Sequence, residues 1–296
     1  MIYPTLKQLQ YFVALAETGH FGRAAEASFV SQSAFSTAIQ DLERLLDTQL
    51  VDRTNRQVTI TATGQDVATQ ARLVIRDVEA VIETAGSRKK PLTGILRLGV
   101  IPTIAPFMLP AVLPKLRKAY PELRLFLIED QTERIHQRLL QGTLDLLLLA
   151  LPYDLRSVET MPLFKDRFYL AARKGSKRVD PMNYRFNSLD ADSVLLLEDG
   201  HCLRDHALAA CKIRNTEKVS PFAASSLLTL IEMVDADLGI TFLPEMASDS
   251  TLLKSTHVCT YPVDDSSYRT IGIGWRKGSA REEEFRLLGN FMSDNR

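Results

Sequence analysis

The chain is poor in the residues that would restrict it most. Three cysteines in 296 residues exclude a small disulfide-stapled scaffold. Basic and acidic residues balance at 36 each, so the total charge implies neither nucleic acid nor an anionic membrane surface as partner. No apolar run approaches the roughly 18 residues of a membrane-spanning helix, and MIYPTLKQLQ has neither the basic n-region nor the apolar h-region of a secretory leader. The expected setting is soluble, reducing and cytoplasmic. A disulfide there is usually transient, and sensory or catalytic. His136, His201, His206 and His257 show no ligand spacing with acids or thiols, so no metal and no cofactor is expected, and His206 reads as a surface helix residue.

Against that background, EDGHCLRDHALAAC (Glu198 to Cys211) places two of the three cysteines nine positions apart in a helix-like segment. At a rise of about 1.5 Å and a turn of about 100° per residue, Cys202 and Cys211 fall roughly 13 Å apart on opposite faces. A disulfide needs Cα atoms within about 4.4–6.8 Å. Two readings remain open on spacing alone: two unrelated buried thiols, or a redox pair whose closure unwinds the segment.

The first 65 residues read as a helical unit with a short hairpin. Thr5 is placed to cap a helix with an apolar face of Leu6, Leu9, Phe12, Val13 and Ala16, stopped at Gly19. A short helix around Arg23 to Ala27 turns at Phe29-Val30 into a second, ending near Leu46, with Phe35, Ile39, Leu42 and Leu46 inward. QLVDR and QVTIT form two strands around Thr54-Asn55. This is a winged helix-turn-helix pattern, in which the second helix enters the major groove. Gln32, Ser33, Ser36, Thr37 and Gln40 would face bases, and Arg23, Arg53 and Arg56 phosphates. Acids outnumber bases by one in this unit, which counts against DNA on charge alone.

From Thr61 to Gly86 the pattern is one long helix with a heptad-like seam of Val67, Ala71, Val74, Val78 and Val81, which calls for a partner helix. SRKKPLTG then forms a hinge. Beyond Gly94, strand and helix patterns alternate, implying a parallel sheet with helical crossovers in two α/β lobes. The expected limits are 1–62 for the winged unit, 63–90 for linker and hinge, and 91–296 for the rest. Within the last, lobe I takes 91–165 and 269–296, and lobe II takes 166–268. Thr103 and Thr132, each just past a strand, are placed at the crevice where ligands gather.

This order of parts resembles the LysR-type transcriptional regulators. Phe21, Arg23-Ala24-Ala25, Ser31-Gln32, Ser36, Leu42-Glu43 and Thr61-Gly64 match that family's signature. EDGHCLRDHALAAC, GVIPTIAPFMLP, Gln131-Thr132 and YRTIGIGWRKGS are similar to segments of its peroxide-sensing members. The resemblance implies an α/β protein with a winged helix-turn-helix, a long linker helix and a two-lobed effector domain like that of periplasmic binding proteins. It implies a regulator and not an enzyme. Cys202 becomes the peroxide-reactive thiol and Cys211 the resolving one. Thr103, Thr132, His201, Arg204, Asp205 and Arg269 line the peroxide pocket, Arg204 and Arg269 lying near the sulfur. Cys259 is structural. Such chemistry needs a depressed Cys202 pKa, favoured by a helix start after Gly200 and by nearby arginines. The implied partners are double-stranded promoter DNA, hydrogen peroxide, RNA polymerase and a glutaredoxin-type thiol reductant, with a homodimer through the linker helix and a homotetramer. Ser33 stands where the family commonly has proline and Ala38 where it has glutamine, while LVDR replaces LFER. The alternative is a LysR-type regulator answering to a small-molecule effector in the inter-lobe crevice. A thiol peroxidase would have no use for the winged head, and a solute-binding protein would carry an export signal.

Overall fold

A computed structural model describes residues 3–53, 58–85, 91–177, 189, 191–210 and 218–296. The contacts divide the chain into two units, the second beginning at residue 90.

In the N-terminal unit, α1 (Leu6–Thr18) begins with a capping box, Thr5 accepting from the Gln8 backbone while the Gln8 side chain reaches back, and stops at Gly19 with φ of 61°. Its buried residues are Tyr11, Phe12 and Leu15, whereas Leu6 is exposed. The face is therefore turned from the expected one, because Tyr11 stacks on Phe35 with ring centroids 5.1 Å apart. Helices α2 (Phe21–Ala27) and α3 (Gln32–Leu45) follow, α3 capped by Ser31. Phe35, Ile39 and Leu42 of α3 are fully buried. Strands β1 (Val51–Arg53) and β2 (Val58–Ile60) pair antiparallel as the wing, and α4 (Ala62–Ala85) is the linker helix. Ala68 and Ala71 of α4 are buried, but Val74, Val81 and Ile82 are exposed.

The second unit holds a sheet in the order β10-β6-β11-β5-β3-β4, with β9 also on β6. These strands are β3 (Gly94–Val100), β4 (Leu123–Glu129), β5 (Leu146–Leu151), β6 (Val158–Arg173), β9 (Thr241–Pro244), β10 (Val258–Pro262) and β11 (Tyr268–Arg276). A smaller parallel pair joins β7 (Val194–Leu197) to β8 (Val219–Ala224). The sheet is mixed, which corrects the expectation of a parallel one. β3 runs parallel to β4 and β5, whereas β11 runs antiparallel to both of its neighbours, β5 and β6.

Helices α5 (Ala105–Ala119), α6 (Thr132–Leu140) and α10 (Glu282–Asp294) cover the first part of the sheet. Their core gathers Leu98, Leu148, Trp275 and Phe285. A second core of Phe168, Leu196, Ile231 and Phe242 lies under α8 (Leu227–Asp235) and α9 (Glu245–Ser248). The two cores make two lobes, and the 16-residue β6 serves both, pairing with β11 along its first half and with β9 and β10 along its second. Among the described residues, no helix is long and apolar enough to cross a membrane.

Candidate functional site

Cys202 is the first residue of α7 (Cys202–Ala210). It follows Gly200, whose φ of 97° is strained for any residue with a Cβ, and a Cβ there would lie 2.8 Å from Gln131 Oε1. The turn thus needs glycine twice, for its backbone and for the close approach of Gln131. Cys202 is 4% exposed and packs into the first core, while its neighbour Leu203 packs into the second. The opening turn of α7 is therefore wedged between the lobes. Its far end is tied down by the Ser267 hydroxyl, which donates to the Ala210 carbonyl at 2.9 Å.

Beside it lies a buried charge network. Arg269 is 1% exposed and directly opposite Asp166 across the β11–β6 pair. Its Nε donates to Asp166 Oδ2 at 2.9 Å, its Nη1 to Thr103 Oγ1 at 2.8 Å and its Nη2 to the Thr103 carbonyl at 2.9 Å. Asp166 Oδ1 also accepts from the Met246 backbone at 3.2 Å. Guanidinium has no acceptor, so Thr103 Oγ1 must accept, which leaves the Thr103 hydroxyl hydrogen for another partner. The Thr132 hydroxyl, the first on α6, is buried without a hydrogen bond of good geometry and lies close enough to the Cys202 sulfur to favour its thiolate.

The sulfur's electrostatics differ from the expectation. Burial pushes the Cys202 thiol above the ordinary thiol range, outweighing the Thr132 hydroxyl, the Arg269 charge and the Ala150 backbone, which all act downward. A depressed pKa is thus corrected to a raised one, because the side chain sits in a hydrocarbon core and not at a solvated helix end. Arg204 does not turn to the sulfur: it pairs with Asp199 at 3.2 Å and reaches the Leu197 carbonyl. Asp205 is exposed and acts on Cys202 only as a distant negative charge. His201 is buried, with Glu198 at 4.0 Å, and burial lowers its pKa.

His206 is buried, not at the surface. Its Nε2 lies 2.8 Å from the Pro152 carbonyl and its Nδ1 has no partner among the described residues, so the proton resides on Nε2; burial, opposed by the Pro152 bond, lowers its pKa. Tyr153 is likewise a neighbour that the sequence did not disclose. Its phenol is pushed up by burial first and then by Glu133, a Cys202 thiolate, Asp205 and Asp154. Thr132, Arg269 and Tyr153 therefore lie within electrostatic reach of Cys202, and Arg269 holds Thr103 and Asp166 beside itself. Cys211 lies outside the described residues. Cys259, half-buried on β10, stands opposite Ala172 of β6. Among the described residues no cluster of three or more His, Cys, Asp or Glu could hold a metal ion.

In the N-terminal unit, Gln32, Ser33, Thr37 and Gln40 of α3 are exposed and Ser36 is half-buried. Arg23 is exposed and donates to the Thr18 carbonyl at 2.9 Å, leaving part of its guanidinium outward. Arg53 closes β1; its side chain and Arg56 are outside the described residues.

Comparison with known proteins gives this arrangement its kinship. Residues 6–65 match the family model of the lysR-family bacterial regulatory helix-turn-helix protein, and residues 89–296 match the LysR substrate binding domain. The chain is 41% identical to the HTH-type transcriptional regulator EstR of Acinetobacter baylyi over 96% of its own length and 95% of that protein. It is 36% identical to the DNA-binding transcriptional dual regulator OxyR of Escherichia coli over 96% of its length and 93% of that protein. Full-length OxyR from Pseudomonas aeruginosa, with a cysteine-to-aspartate substitution, superposes with a TM-score of 0.81 at 31% identity, covering 99% of this chain and 95% of that one. That family consists of transcription regulators and not enzymes. With the winged head, linker helix and two-lobed domain all in place, the chain belongs to the LysR family of bacterial transcription regulators.

Proposed function

We propose that the protein is a peroxide-responsive, DNA-binding transcription regulator switched by a Cys202–Cys211 disulfide. The observation that carries the reading is the buried Cys202 thiol at the start of α7, with the Thr132 hydroxyl beside it and Arg269, which holds the Thr103 hydroxyl, acting on its charge. The Cys202 thiolate attacks one peroxide oxygen; an S–O bond forms, the O–O bond breaks, and the departing hydroxide takes a proton to become water. Thr103 and Thr132 act as the donors that orient the peroxide. The resulting sulfenic acid condenses with the Cys211 thiol, forming S–S and releasing a second water. A glutaredoxin-type thiol in the reducing cytoplasm restores the pair.

Nine residues of separation force α7 to unwind for closure. Because Cys202 and Leu203 belong to different cores, unwinding disturbs both lobes together. The exposed α3 row of Gln32, Ser33, Thr37 and Gln40, flanked by Ser36, reads promoter DNA, with Arg23, Arg53 and Arg56 on phosphates. The α4 residues Val74, Val81 and Ile82, exposed in a single chain, pair two copies, and two dimers form a tetramer that engages RNA polymerase. Domain limits of 1–62, 63–90 and 91–296 fit this division of labour.

A small-molecule effector is the second reading. The raised Cys202 pKa favours it, since a primed thiolate should be stabilised, as does a 41% identical relative whose name mentions no peroxide.

The test is mass spectrometry after brief stoichiometric peroxide. A Cys202–Cys211 disulfide in wild type and a trapped Cys202 sulfenic acid in Cys211→Ser are expected. Unmodified thiols would overturn the peroxide reading in favour of the effector.

A further inference from the structure

Arg269 is the formal positive charge nearest the proposed chemistry, yet it is nowhere alone. Asp166 meets it at 2.9 Å, and the side chains of the pair are 0% and 2% exposed, so neither is screened by water. A buried cation in contact with a buried anion projects a weaker field than the cation would alone, because the two potentials oppose each other. What such a pair does project is geometry. Asp166 takes Nε, and the remaining edge of the planar guanidinium is thereby aimed at Thr103 Oγ1 and the Thr103 carbonyl. The second carboxylate oxygen is fixed by the Met246 backbone and the far side of the guanidinium by Met246 Sδ at 3.7 Å. Every rotor in the chain from Asp166 to Thr103 is thus occupied.

We propose that Asp166 is a positioning residue for the Cys202 reaction: through Arg269 it holds Thr103 as a hydrogen-bond donor, and it damps the positive charge that reaches the sulfur. The inference rests on the reading of Cys202 as the peroxide-reactive thiol. Among the described residues, the charged and titratable groups around that sulfur are Arg269 of β11 with Asp166 of β6 behind it, Tyr153 after β5, Glu133 of α6, His201 just before the sulfur, and Asp205 and His206 of α7. Among the described residues, only the Arg269–Asp166 pair combines full burial of both charges with direct contact. Removing the negative member alone leaves an unbalanced cation, which favours thiolate. Removing both changes the field less than removing the anion alone, and it frees the Thr103 side chain.

The experiment measures the pH midpoint of Cys202 alkylation by iodoacetamide, and separately the second-order rate of its oxidation by hydrogen peroxide, in the full-length reduced protein. Asp166→Asn is expected to lower the alkylation midpoint by about one pH unit, so that alkylation near pH 7 becomes roughly tenfold faster. The double variant Asp166→Asn, Arg269→Gln carries no buried charge and is the safer one to fold. Its midpoint is expected within about half a unit of wild type, while its peroxide rate falls at least about tenfold for want of an oriented Thr103. An unchanged or raised midpoint in Asp166→Asn overturns the damping. A double variant with a midpoint raised by a unit or more overturns it as well, since Arg269 would then act as an undamped charge, and one with an undiminished peroxide rate overturns the positioning. A wild-type Cys202 that alkylates but resists peroxide overturns the peroxide reading alone, and the alkylation midpoints still decide the field of Asp166.

Discussion

If α7 leaves its seat when Cys202 is captured by Cys211, then every contact that α7 makes in the reduced protein opposes oxidation, and Leu203 is the place to measure this. It is 2% exposed and packs in the second core. Truncating a buried leucine to alanine costs about 2–5 kcal/mol, transfer and cavity together. In Leu203→Ala that loss falls on the reduced state only, because in the oxidised state the side chain has already left the core. The oxidised form is then favoured by the same amount. For a two-electron couple about 30 mV corresponds to 1.4 kcal/mol, so a loss of about 3 kcal/mol lowers the midpoint potential by roughly 60 mV. The assay is equilibration in graded thiol–disulfide buffers, quenching by alkylation, and quantification by mass. Leu230→Ala is the control: Leu230 lies in the same core on α8, so its loss should lower Tm and leave the potential alone. A Leu203→Ala protein with a lower Tm and an unchanged potential would mean that Leu203 stays packed after oxidation. The unwinding of α7 would then be wrong.

Two further outcomes follow from the same geometry. Burial lowers the His206 pKa, so the unfolded or undocked imidazole, with its ordinary value of about 6.5, takes up a proton before the docked one does. The stability of docking is then fully present above about pH 6.5 and is lost as the pH falls through the lowered value. Hydrogen exchange of the α7 amides, corrected for intrinsic rates, should accelerate below pH 6.5. The acceleration should shrink in His206→Gln, the remainder belonging to His201, whose shift has the same sign. Equal pH dependence in the two proteins counts against His206 as the docking group. Gly200→Ala forces a Cβ into the left-handed region and against Gln131. It should cost about 1–3 kcal/mol, read as a fall in Tm of about 2–4 °C per kcal/mol, and an unaltered Tm would contradict the geometry of that turn.

The winged head was legible because its signals are local. Thr5 caps the helix expected of it, and Phe35, Ile39 and Leu42 face inward at helical spacing. Thr103 and Thr132 are legible as residues just past a strand, while their association with Cys202, and that of Arg269, comes from likeness to a family. What escaped was set by distant parts of the chain. Asp166 lies 103 positions from Arg269, and its importance depends on a strand register that no pattern within β6 announces. His206 looks like a polar residue on an exposed helix until Pro152, 54 positions away, is seen against it. The same is true of the Cys202 pKa: helix start and nearby arginines argue downward, and only the packed core shows that burial wins. The resemblance puts Arg204 near the sulfur, yet its guanidinium pairs with Asp199.

The shared strand β6 constrains what kind of motion can couple the two lobes. Asp166, its partner Arg269 and the neighbouring Arg167–Tyr268 pair sit where two adjacent antiparallel strands pass from one core to the other. Hydrogen-bonded strands resist stretching along their length and sliding past one another, since either would break a whole ladder at once. They yield far more readily to a change of twist, which is spread over many residues at small cost in each. Displacing α7 from between the cores would therefore reach the first lobe as torque about β6 and β11. An angular output of this kind changes the orientation of whatever the lobe is attached to without changing how far apart its parts lie.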